Sequence, residues 1–154
     1  MIIRTASTQD IDAILSLYSD LFAEMSAMQP DRFRSTEQDR DFVISSISDD
    51  KFHLLVAEDD DGEIKGFSIA QEQKNLPFNA LVPRTYGYVF DLIVSREARS
   101  LGIGQKLLAG MKDWAQKNNY SHLELTVLSK NTKAIQFYER EGYQDVSKIM
   151  SISL

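Results

Sequence analysis

The chain has 154 residues, enough for one ordinary domain with a sizeable core. Its content, 43% apolar and 26% charged, is that of a soluble globular protein, and a net charge of −6 argues against a nucleic-acid binder, which needs a basic face. There is no cysteine, which excludes disulfides, thiolate metal sites and a cysteine acyl-enzyme, and is compatible with the expected location in a reducing cytoplasm.

Met1-Ile2-Ile3-Arg4 carries no signal-peptide pattern, and no run approaches the length of a membrane span. Residues 1–6 read as a short strand. Ser7 is placed to cap a helix, with Asp10 near the positive end of its dipole. Apolar residues at 11, 14, 15, 18, 21, 22 and 25 then keep helical spacing, and Pro30 lies beyond the end. Residues 37–48 predict a weaker helix bearing Phe42, Val43 and Ile47. Phe52 to Glu58 reads as a strand, and Asp61-Gly62 turns it into a second one from Ile64 to Gln73. Residues 74–85, with Pro77 and Pro83, predict a loop that is unusually apolar in Leu76, Phe78, Leu81 and Val82. From there the order is strand, helix, strand, helix, strand, strand. Segments 88–94, 102–117 and 122–128 fit a parallel strand–helix–strand unit. The expected architecture is a mixed α/β sheet with antiparallel strands at the start and end.

Arg99-Ser100-Leu101-Gly102-Ile103-Gly104 sits between the strand Tyr88–Val94 and a helix carrying Leu107, Leu108, Met111, Trp114 and Ala115. A helix start offers N–H groups with no intrahelical partner and a partial positive charge, which suits a phosphate or pyrophosphate. Gly102 and Gly104 allow unusual dihedrals and close approach to the main chain. A triphosphate loop is excluded, because Gly104 is followed by Gln105-Lys106-Leu107 and not by Lys-Ser/Thr. A dinucleotide fingerprint fits poorly. Leu107 stands where its third small residue belongs, and Glu124 falls in mid-strand, away from the carboxyl end where a ribose-binding acid should sit. The glycines alone would also be explained by a tight strand-to-helix turn.

A second constellation follows in Asn131-Thr132-Lys133-Ala134-Ile135-Gln136-Phe137-Tyr138-Glu139-Arg140-Glu141-Gly142-Tyr143. Arg-x-x-Gly-x-Gly after a strand, then Asn-x-x-Ala-x-x-Phe-Tyr-x-x-x-Gly-Tyr, resembles the GNAT superfamily of acetyl-CoA-dependent N-acetyltransferases. The opening strand, capped first helix, Asp-Gly hairpin and final Gly-Tyr strand pair also follow that family's order. The resemblance implies one domain over 1–154, with a mixed, mostly antiparallel sheet of six to seven strands, a splayed central parallel pair and about four helices. It implies acetyl-CoA as co-substrate and direct transfer to the primary amine of a small molecule or peptide in a ternary complex. No metal, nucleic acid or membrane is expected, and a homodimer is compatible with the family.

The same resemblance distributes roles. Main-chain N–H groups of Arg99, Ser100, Leu101, Gly102, Ile103 and Gly104, with Gln105 next in line, would grip the pyrophosphate. The Arg99 side chain is at the motif's basic position, its alternative being a surface salt bridge. Leu92, Ile93 and Val94 match the strand whose backbone pairs with pantetheine. Asn131 would contact the cofactor arm, and it is also a good N-cap. Tyr138 would be the general acid for the coenzyme A thiolate; a phenol with pKa near 10 stays protonated at neutral pH. The alternative is a core aromatic beside Phe137.

Many relatives carry Glu-Asp before the Leu-x-Val of this strand, whereas this chain has Phe90-Asp91. Asp91 is therefore the candidate base, on the opposite face from Phe90 by strand alternation. Glu124, Glu72, Tyr86 or a water chain are the other possibilities. The 74–85 loop and the Tyr18–Phe33 region, with Phe22, Phe78 and Phe90, are expected to shape the acceptor pocket. His53 and His122 are too few for a metal site. The rival reading is a non-catalytic acyl-CoA-binding or sensing domain.

Overall fold

The structure is a computed structural model that describes residues 1–154. Strand β1 (Ile2–Thr5) leads through a 3-10 turn at Thr8–Asp10 into α1 (Ile11–Met28), followed by α2 (Arg40–Ser48). Strands β2 (Phe52–Glu58), β3 (Ile64–Lys74) and β4 (Thr85–Val94) come next, then a 3-10 turn at Arg96–Ala98 and α3 (Ile103–Lys117). Strand β5 (Leu123–Leu125) and α4 (Thr132–Arg140) complete the regular elements. No helix is long and apolar enough to cross a membrane.

The five strands form one sheet in chain order, antiparallel from β1 to β4 and parallel between β4 and β5. Alternation along β2 sorts the core. Leu54 and Val56 join Phe67, Ile69 and Ile93 under Ile14, Leu17 and Tyr18 of α1 and Val43 of α2. Leu55 and Ala57 turn the other way, joining Ala70 and Val89 against Ile103, Leu107 and Met111 of α3. Each buried Leu, Ile, Val or Met side chain among these contributes about 1.5–3 kcal/mol relative to exposure. Gly87 lets α3 close over the β4–β5 junction: a Cβ there would lie 2.6 Å from Leu123 and 2.9 Å from Trp114.

The entry to α1 is fixed by charge. Arg4 donates to both Asp10 oxygens at 2.8 Å and to Glu58 at 2.5 Å, tying β1 to the helix start and to β2. Ser7 and Asp10 close a capping box, with the Ser7 N–H donating to Asp10 at 2.7 Å. The hydrogen bond from Arg4, working against burial, holds the Asp10 carboxyl down at about 2.

Two expectations change. The sheet has five strands where six to seven were expected, and the strand expected at 122–128 is confined to Leu123–Leu125. Residues 144–154 make no main-chain hydrogen bond and leave Val146, Ile149, Met150, Ile152 and Leu154 exposed. The reason lies in the edge on offer: a strand exists only as part of a ladder, and β5 presents an outer edge just 3 residues long. A hydrogen bond from Arg32 to the Ser151 hydroxyl is the side-chain bond that joins this segment to the rest.

Candidate active site

The site is organised by a register slip. Ile69 lies opposite Asp91 while Ala70 lies opposite Val89, so Phe90 is an extra residue on β4. A bulge of this kind bends the strand and re-aims side chains. Val89 packs with the α3-side cluster, whereas Asp91 reaches Tyr18 of α1. Phe90 stacks on Phe52 at 6.2 Å, and Phe52 packs against the α1–α2 cluster. Phe90 and Asp91 therefore both lean toward α1 and α2, instead of taking the opposite faces that strict alternation predicts.

Asp91 accepts the Tyr18 hydroxyl at 2.9 Å and has no arginine, lysine or histidine within ion-pair distance. Burial pushes its carboxyl above the usual range, and the Tyr18 hydrogen bond pulls it part of the way back. Tyr138 of α4 shares this environment. Burial, and then the Asp91 charge, push its phenol up to about 12. Its ring packs between Phe137 at 5.1 Å and Tyr143 at 5.7 Å, while its hydroxyl makes no hydrogen bond.

Beyond the bulge, β4 loses its parallel neighbour. Pairing with β5 covers Gly87, Tyr88 and Val89 only, so Leu92, Ile93 and Val94 have β3 on one side and no strand on the other. Asn131 sits at the start of α4, where its Oδ1 accepts the Ala134 N–H at 3.1 Å. Its capping role is thus occupied by the helix itself.

The glycine turn lies just past the end of β4. Ser100 has φ of 67° and Gly102 has φ of 76°, and Gly102 caps α3. The first helical bond runs from the Lys106 N–H to the Gly102 carbonyl at 3.1 Å. Upstream of it, no main-chain N–H from Ser100 to Gln105 donates to any protein acceptor. Consecutive N–H groups around left-handed residues, at a helix start, form an anion-binding concavity. Gly104 faces Phe137 and Leu92, each about an ordinary contact away at 3.5 and 3.6 Å from a Cβ placed there. The turn, β4 and α4 therefore converge.

The model of the acetyltransferase (GNAT) family matches residues 12–143, which includes all of these elements. The chain belongs to the GNAT family. It is an acetyl-CoA-dependent acyltransferase. The uncharacterized N-acetyltransferase YhfO of Bacillus subtilis (strain 168) is 30% identical over 148 residues, covering 94% of this chain and 91% of that one. A mutant of the BH1408 protein from Bacillus halodurans superposes with a TM-score of 0.96 at 24% identity, covering 100% of this chain and 99% of that one. An aminoglycoside N-acetyltransferase, AAC(6')-Iy, in complex with CoA gives a TM-score of 0.73 at 14% identity, with 99% and 98% covered.

Within this GNAT protein the remaining candidates fall away from the bulge. Glu72 accepts the Tyr120 hydroxyl at 2.9 Å, and Glu124 bonds His122 Nε2 at 2.8 Å. Tyr86 stacks on His122 at 4.8 Å. All three belong to the stretch where β4 still pairs with β5, and none touches Asp91 or Tyr138. His53 stacks on Trp114, so the histidines occupy separate places. Arg99 is held by the GNAT protein's own acid: it donates to Glu24 of α1 at 2.7 Å and to the Val94 carbonyl at 3.1 Å, with Arg96 on the same Glu24 oxygen at 3.0 Å. Gln105 reaches Glu141 at 3.0 Å.

Phe22 lines a cleft of about 280 Å³ with Met25, Arg32, Phe33, Arg34 and Thr36, at the end of α1 and the segment after it. Phe22 packs on Tyr18 with ring centroids 5.5 Å apart, linking the cleft wall to Asp91's partner. Phe78 is 62% exposed on its loop and does not line this cleft. Sequence reasoning placed Tyr18 at the edge of the acceptor region and missed its bond to Asp91. Tyr18 fits the apolar spacing of α1, and its only distinguishing signal is a hydroxyl in a stripe otherwise free of polar atoms.

Proposed function

We propose that this GNAT protein moves the acetyl group of acetyl-CoA directly to a primary amine in a ternary complex. The free N–H groups from Ser100 to Gln105 take the pyrophosphate, with Arg99 beside them. The unpaired edge of Leu92, Ile93 and Val94 takes the amide groups of the pantetheine arm, and Asn131 lies at the arm's end. Held this way, the thioester is presented at the bulge, where positioning alone is worth about 7–11 kcal/mol of barrier.

Asp91 accepts the proton that the amine loses as its nitrogen bonds to the thioester carbon. Tyr138 donates its phenolic proton to sulfur as the C–S bond breaks. Burial without a cationic partner suits Asp91 to a base's task, because it raises the basicity of a carboxylate. The Tyr138 phenol keeps its proton until the thiolate needs it. The cleft beside Phe22 receives the acceptor's apolar body. The observation that carries this reading is the convergence of a run of free N–H groups with an acid–base pair across one strand end.

Phe90, in place of the glutamate many relatives carry, favours a second reading: a domain that binds an acyl-CoA without turning it over. A thiol-release assay with acetyl-CoA over a panel of amines, with a no-acceptor control, separates the two. Acceptor-dependent release supports the enzyme. Acetyl-CoA binding with no release by any amine supports the sensor, and no binding removes the cofactor assignment itself.

A further inference from the structure

We propose that Tyr18 is a positioning residue for the transfer: by donating its hydroxyl to Oδ2 of Asp91 it fixes the carboxylate and leaves Oδ1 to take the acceptor's proton. The inference rests on Asp91 acting as the base. Tyr18 is 1% exposed, and its ring is clamped by Phe67 at 4.8 Å and Phe22 at 5.5 Å. A buried hydroxyl needs a partner. Here that partner is the one carboxylate on the bulge, at 2.9 Å. The backbone of the same residue is held as well, since Ser68 donates its hydroxyl to the Asp91 carbonyl at 3.0 Å.

Aspartate χ2 is otherwise a broad, two-fold torsion. With one oxygen pinned from α1 and the carbonyl pinned from β3, Asp91 has one oxygen left to point elsewhere. The groups that face this carboxylate are few. Tyr18 comes from α1 and Tyr138 from α4, Ser68 of β3 is not titratable, and Gln38 presents an amide to Tyr18 from the segment before α2. No cation contributes. The Tyr18 donor is thus the main local support for the ionised carboxylate, and a base must be ionised to act.

The test is the pH profile of kcat/KM for the best amine of the panel, in the wild type and in Tyr18→Phe. The expected result is an acid limb moved up by about one pH unit, with activity about tenfold lower below the limb and recovering at alkaline pH. A loss of equal size at every pH, with the limb unmoved, is what a packing role alone produces and overturns the proposal. Should Tyr18→Phe fail to fold, site-specific 3-fluorotyrosine at position 18 is nearly isosteric and a stronger donor. It moves the limb the other way, and an unmoved limb again overturns the proposal. Asp91→Asn keeps the two levels apart. If it retains full turnover, the base assignment falls and takes this role with it. If it is inactive while the Tyr18 variants leave the limb in place, only the Tyr18 role is lost.

Discussion

Tyr138 offers a phenol without a hydrogen bond, kept protonated first by burial and then by the neighbouring Asp91 carboxylate. Replacing it with Phe removes one oxygen and keeps the ring between Phe137 and Tyr143. The expected outcome is a fall in kcat of about 100-fold, with acetyl-CoA affinity unchanged by calorimetry. The pH dependence carries a sign that can be worked out. As the proposed base, Asp91 must be ionised to accept a proton and burial raises its pKa, so activity is expected to rise with pH through a value above the ordinary 3.8. As the proposed acid, Tyr138 must be protonated, and burial pushes its phenol up to about 12, so it is expected to set no basic limb in the range where enzymes are usually assayed. The family's spacing singled out Tyr138 and Asn131 in the sequence, and the structure sets Tyr138 in α4 and Asn131 at the start of that helix. The bond from Tyr18 to Asp91 was not legible there, because hydrophobic periodicity counts a tyrosine as apolar and does not see its hydroxyl. The orientation of Phe90 and Asp91 was not either: a bulge exists only once β3 and β4 pair, and nothing local at Phe90 announces it.

The starts of α1 and α3 are held by different physics, and each makes a prediction. At α1, Asp10 is depressed to about 2 from 3.8, so its contribution is present above its unfolded value and is lost as pH falls through the folded one. That contribution is on the order of 2 kcal/mol. Asp10→Asn should therefore lower stability near neutral pH, measured by urea unfolding, and flatten the loss between about pH 5 and 2. At α3, Gly102 holds φ of 76°, and a Cβ there would meet nothing within 4 Å. Gly102→Ala is thus a dihedral penalty of about 1 kcal/mol without a clash. Because relief comes from untwisting the turn that aligns the N–H groups, acetyl-CoA affinity should fall by more than stability does. These starts could be placed from the sequence because Ser7, Asp10 and Gly102 are local signals. The end of the sheet could not, since residues 144–154 alternate apolar side chains but depend on an edge that β5, at 3 residues, does not supply.

The molecule carries a net charge of −6, yet its glycine turn presents a run of free main-chain N–H groups, a geometry suited to an anion. The conflict is resolved locally at Glu24, which bonds Arg96 and Arg99 and so links α1 to the turn before α3. Exposed pairs of this kind are worth about 0–1 kcal/mol, so they do little for the fold. Their expected effect on the proposed cofactor site is larger, because Glu24 offsets the charge of the arginine that sits next to the free N–H groups. Glu24→Gln removes the ion-pair partner of both Arg96 and Arg99. Acetyl-CoA should then bind about three- to fivefold tighter at low salt, while the thermal midpoint stays within about 2 °C. The gain should shrink as salt rises, because the Debye length falls from about 10 Å at 0.1 M to about 3 Å at 1 M. Weaker binding by Glu24→Gln at every salt concentration would mean the reverse: that Glu24 holds Arg99 in the pose from which it meets the pyrophosphate, and that the ion pair belongs to the site and not to the surface.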